Sequence, residues 1–182
     1  MRLKTSNGWI DYDLNLYRDI ARPIDEQVER LYEVIVADFS TADMFGYPTT
    51  VEHLLGVGLA AAQVYVVSAI ADLRAPRPAA LSVGPRLASG PAVIELINHG
   101  ANFWKHADEW DWDAPDWRRD AILRAFADAG FDENHFALIE LVTKVTGADR
   151  PSLVELSPFL DEWRVALDDT SRTSQAKGRS GR

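Results

Sequence analysis

The stretch LLGVGLAAAQVYVVSAIA, residues 54–71, decides the fold. It is an uncharged run of eighteen residues, close to the length that a bilayer span requires. Within it, however, Gln63, Tyr65, Ser68, two glycines and five alanines keep the mean hydropathy modest. A helix that is apolar all round belongs in the centre of a bundle. The run therefore reads as the buried central helix of an all-α domain, not as a membrane span. Gly56, Gly58 and Ala60 to Ala62 would let a neighbour approach the backbone closely.

Outward from this run the chain reads as further helices. On the N-terminal side, Pro23 suits a first helical turn and is followed by Asp25 and Glu26, which favour the positive helix end. Ile24, Val28, Leu31, Ile35 and Phe39 then follow the three-and-four spacing of one apolar stripe, predicting a helix over 23–39. Thr49 and Glu52 match a capping box for a helix over 50–74. Residues 75–91 carry four prolines and no sustained period, which predicts a surface connection. Pro91 opens a helix to about Trp110, and Asp113 with Pro115 marks a break. Residues 116–129 form the next helix, closed by Gly130. Asp132 suits the cap of another, which Gly147 ends. Ser152 and Glu155 form a second capping box, and Pro158 should break or restart the last helix.

Residues 169–182 are small, polar and basic, the composition of a disordered tail. No alternating strand pattern of useful length stands out in the chain. The expectation is a single all-α domain over 1–168: an irregular bundle of about six helices around a central apolar one.

The 182 residues include 47% hydrophobic and 26% charged ones, normal for one globular domain with a sizeable core. A net charge of −9 argues against broad DNA or anionic-membrane binding, which needs a basic face. It suits a basic protein partner and leaves room for a local RNA site. Cysteine is absent, which removes disulfides, thiol chemistry and cysteine-based zinc sites. No apolar segment follows the basic N-terminal residues, so a cytoplasmic location is expected.

The helix over 93–110 carries the candidate chemistry. At about 100 degrees per residue, Glu95, His99, Asn102 and His106 line one narrow stripe, flanked by Asn98, Lys105 and Glu109. A solvated helix face usually shows Lys, Glu, Arg and Gln. His and Asn are poorer helix formers, and each both donates and accepts hydrogen bonds. As an imidazole, His106 suits general acid–base work on a ribose 2′-hydroxyl. Asn102, one turn earlier, can orient it or bind phosphate, and Lys105 adds positive charge. Two such helices facing each other in a homodimer would form a composite cleft. The plainer reading is a polar face against water.

A metal site is the weaker alternative. Glu95, His99 and His106, with His53, are ligand types found in bundle metal centres. His99 and His106 stand about 10.5 Å apart along the axis, too far for one ion, so neither metal nor cofactor is expected. From Trp104 onward, Trp110, Trp112 and Trp117 alternate with Asp and Glu. Such a run serves as a docking surface for a protein partner or as a clamp onto the core. Arg118, Arg119 and Arg124 read as a solvated face.

The segment Ala101-Asn102-Phe103-Trp104-Lys105-His106 resembles the motif of the HEPN superfamily, small helical domains of prokaryotic defence and toxin–antitoxin systems. That motif is an arginine, often followed by asparagine, then a histidine after four to six residues. Asn102 and His106 fall on matching positions, while Ala101 stands where the arginine belongs. Lys105 lies about 40 degrees further round the helix. The resemblance implies an all-helical, often dimeric fold and metal-independent endoribonuclease chemistry at Asn102 and His106. It also implies impaired cleavage, because the missing arginine holds phosphate in the family. The rival expectation is a non-enzymatic acidic partner protein, such as an immunity protein or antitoxin. Glu95, His99, Trp104, Glu109, Trp110 and Trp112 are the candidate binding residues. A metal-dependent bundle enzyme is the third.

Overall fold

A computed structural model describes residues 2–5, 8–131 and 136–180. Two short antiparallel strands, β1 (Arg2–Thr5) and β2 (Gly8–Asp11), open the chain and pair Leu3 with Ile10. This hairpin was not legible in the sequence, where ten mixed residues carry too short an alternation to register.

Asp11 ends the hairpin and caps α1 (Tyr12–Ala37) by accepting from the Leu14 amide at 3.1 Å. The helix begins eleven residues before Pro23 and runs through it, so the expected start there is corrected. Proline removes one amide bond from a helix interior. The buried stripe Leu14, Tyr17, Ala21 and Val28 continues on both sides of it, and that packing carries the helix across.

After the short α2 (Phe39–Met44), α3 (Tyr47–Leu73) passes through the centre, touching α1, α2 and three of the helices that follow. By length and composition α3 could cross a membrane, yet more than half of its most apolar window is buried in the domain. Gly46, in the left-handed region at φ 70°, precedes it. No side chain caps its start, so the expected Thr49–Glu52 capping box does not form. The close approaches expected at its glycines come from side chains. A Cβ at Gly56 would fall 2.1 Å from the Trp104 ring, and one at Gly58 2.1 Å from Leu153.

The connection over 75–91 contains one short helix, α4 (Arg77–Leu81). Then follow α5 (Val93–His106), a 3-10 turn at Ala107–Glu109, and α6 (Trp117–Ala129), which Asp116 caps and Gly130 ends at φ 77°. The proposed Asp132 cap lies outside the described residues. Beyond it, α7 (Ala137–Thr146) stops at Gly147, as its sequence indicates. Its first amides are held from a distance: Glu52 of α3 accepts from Leu138 at 3.1 Å and Ile139 at 2.7 Å. Burial pushes the Glu52 carboxyl up to about 7, against the opposing pull of these two amides.

Asp25 of α1 does the same work elsewhere, accepting from the Ser152 hydroxyl and from the amides of Leu153 and Val154. The Ser152 side chain still accepts from the Glu155 amide at 3.4 Å, one half of the expected box. Pro158 sits in the first turn of α8 (Ser157–Ser180), where proline is tolerated. The helix continues past 168 into the polar stretch. Six of the eight α-helices among the described residues have ten residues or more, matching an irregular bundle of about six. Buried polar groups tie it together: the Tyr17 hydroxyl donates to the Leu153 carbonyl and the Trp163 indole to the Ala80 carbonyl.

Candidate functional site

α5 lies against α3 on one side and α6 on the other. Its core face is Ile94, Leu96, Ile97 and Ala101, each fully buried. The opposite stripe faces a cleft of about 850 Å³ between α5, α6 and the start of α4. Glu95, Asn98, His99, Asn102, His106, Glu109 and Trp110 line it from α5 and the turn after it, while Arg77 and Arg118 bring two guanidinium groups from outside. A second cavity of about 650 Å³ adjoins it through Glu95, His99 and Ala121, and extends toward Ser89 and Pro91.

His106 Nδ1 lies 3.0 Å from Glu109 Oε2, both side chains at least half exposed. With Nδ1–H donated to the carboxylate, Nε2 is left as the base or acceptor. His99 is more enclosed. Its Nδ1 is buried without a hydrogen-bond partner. Burial holds the imidazole below the usual histidine range despite the opposing charge of Glu95.

Lys105 and Asn102 belong to a polar cluster at the α3–α5 contact. Gln63, 8% exposed, donates from Nε2 to Asn98 Oδ1 and Asn102 Oδ1, both at 2.9 Å. Lys105 Nζ donates to Gln63 Oε1 at 2.6 Å, and Arg77 donates to Asn98 Oδ1 at 3.0 Å. Partial burial, aided by the nearby Arg77 charge, holds the Lys105 ammonium below the usual lysine range.

The remaining candidates divide. Trp104 is not among the cleft walls: its ring covers Gly56 and its indole donates to His53 Nδ1 at 3.3 Å. Trp110 packs edge-on against Phe103 and Trp112. Trp112 is 60% exposed and Trp117 75%. Arg119 corrects the solvated-face reading: it is buried, donates to the Asp111 carbonyl at 2.7 Å, pairs with Asp120, and lies over the Trp112 ring. The acidic tryptophan run thus wraps a buried cation at one end and leaves two rings in solvent. Arg118 lies over the Trp117 ring, 5.2 Å from its centroid.

Among the described residues no three His, Asp or Glu side chains converge on one point suited to an ion. His53, the suggested fourth ligand, faces Trp104 instead. Ala101, at the place of the motif arginine, is fully buried. The positive charge in the cleft wall comes from Arg77 and Arg118, while Lys105 turns to Gln63. Sequence reading missed Gln63 and Arg77 as site residues. Gln63 carried a signal, since a lone amide in an uncharged helical run must find partners when buried; Arg77 carried none.

Comparison with protein-family models, with curated proteins and with solved structures gives no match.

Proposed function

We propose that this chain is a HEPN-like helical protein of a bacterial defence or toxin–antitoxin-type system, directed at RNA through the cleft between α5 and α6. The observation that carries the reading is the joint exposure of Asn102 and His106 in one cleft with Arg77 and Arg118. A histidine held by a carboxylate, amide donors and guanidinium groups is a suitable set for a phosphodiester. The overall charge of −9 argues against broad, non-specific nucleic-acid binding, so the reading rests on this local site.

In the cleaving form, His106 Nε2 takes the 2′-hydroxyl proton as that oxygen attacks the adjacent phosphorus. The bond from phosphorus to the 5′-oxygen breaks, and the leaving oxygen takes a proton from water. Arg77 and Arg118 are the cleft-lining groups available to offset the growing negative charge, in place of an arginine at 101. The test is binding and cleavage of single-stranded RNA by the wild type and by His106→Ala. Cleavage lost in the variant supports the enzyme form. Binding without cleavage, weakened by Arg77→Ala, supports a binding form. Absence of both binding and cleavage overturns the proposal.

A second reading, an acidic partner-binding protein of the immunity or antitoxin kind, is favoured by the exposed Trp112 and Trp117 beside Asp111 and Asp113. Under it, Asp111→Lys with Asp113→Lys abolishes capture of a basic protein from the native cell. Unchanged capture dismisses that surface.

A further inference from the structure

We infer that Gln63 is the positioning residue of a phosphate-binding site on the cleft floor, turning the amide groups of Asn98 and Asn102 so that both present N–H donors to the ligand. Lysine and arginine side chains can only donate. Lys105 donates to Gln63 Oε1, which makes the other end of that amide the donor. Gln63 Nε2 must then meet acceptors, and it meets Asn98 Oδ1 and Asn102 Oδ1. Arg77 donates to the same Asn98 oxygen, so two independent donors demand one orientation of Asn98. The directions of three amides thus follow from two cations, and no member can flip without opposing a donor to a donor.

The consequence appears on the cleft side. With both Oδ1 atoms turned to Gln63, the two Nδ2 groups are the remaining polar ends of Asn98 and Asn102, and both residues line the cleft. No acceptor among the described residues meets either Nδ2, yet neither is sealed in as a buried unpaired atom. Arg77 uses one nitrogen on Asn98 and stands in the same wall. Two amide donors beside a guanidinium form a surface rich in donors, which suits the oxygens of a phosphate ester. Taking the cleft as the functional site, as proposed above, the ester group is the same whether it comes from an RNA strand or a free nucleotide.

Two variants separate orientation from folding. Gln63→Glu keeps the acceptor for Lys105 but has no donor for the asparagines; Arg77 still holds Asn98, so the Asn102 amide is the one that rotates and turns its oxygen to the cleft. Asn98→Asp keeps the bonds from Gln63 and Arg77 and replaces the cleft-facing donor with an oxygen. The probes are adenosine 5′-monophosphate and a single-stranded RNA oligomer, with thermal melting as the folding control. The side-chain amide proton–nitrogen signals of Asn98 and Asn102 are followed during titration. Both signals are expected to shift in the wild type. Each variant is expected to weaken binding by about tenfold or more, the usual weight of a charge-assisted bond. Should Gln63→Glu fail to melt cooperatively, Asn98→Asp decides alone. Nucleotide binding that both variants weaken, with no RNA binding, keeps the inference and dismisses the RNA reading. RNA binding equal in wild type and variants keeps the RNA reading and overturns the inference. Amide signals that respond to neither probe also overturn it.

Discussion

Glu52 offers a quantitative test of how this bundle is assembled. Its carboxylate reaches from α3 to the first amides of α7, 86 and 87 residues away. Burial raises its pKa from an ordinary 4.5 to about 7. A folded-state value above the unfolded one means that the native chain holds the proton more tightly. The stabilisation is therefore fully present below about 4.5 and is lost as the pH rises through about 7. At about 1.4 kcal/mol per pH unit, the difference amounts to roughly 3 kcal/mol. In the Glu52→Gln variant the side chain would stay neutral and keep one acceptor, but its amide nitrogen would face the Leu138 amide with a donor, costing about 1–3 kcal/mol at every pH. Urea unfolding of wild type and Glu52→Gln from pH 4 to pH 9 isolates the group, because all other titrations cancel in the difference. The wild type should exceed the variant most at the acid end, and its advantage should shrink by roughly 3 kcal/mol toward the alkaline end. An advantage that grows with pH is the opposite outcome. It would mean that attraction between the ionised carboxylate and the helix start outweighs its desolvation.

Other substitutions probe the site and its support. Ala101→Arg restores the motif arginine on paper, but position 101 is fully buried. A charge there has no partner and should cost most of a typical stability of about 5–15 kcal/mol; a soluble, cooperatively melting variant that cleaves RNA faster would contradict this. Gly56→Ala sets a Cβ 2.1 Å from the Trp104 ring and should destabilise by about 1–3 kcal/mol, seen as a lower melting temperature. An unchanged melt would show that the ring moves freely. Asp25→Ala deprives one hydroxyl and two amides of their acceptor, a loss of about 2 kcal/mol or more. A negligible change in the urea midpoint would count against that anchor.

The helical class was legible along the chain, because periodicity and chain-stopping residues act locally. The uncharged run at 54–71 reads as a helix that must be covered on all sides, Gly130 and Gly147 end helices where they stand, and the stripe from Glu95 to His106 follows from helical geometry. Pairings across the chain were not legible. Glu52 looked like the second half of a local box, yet its burial beside α7 gave it distant amides to satisfy. Pro23 looked like a start, yet packing of Leu14 and Tyr17 carried the helix through it. Arg77 lay in a featureless connection, and only folding set it beside Asn98. The tertiary structure decided these because a buried polar group is satisfied by whatever lies nearest in space. Spacing along the chain shows which face a residue shares, and says nothing of what packs against it.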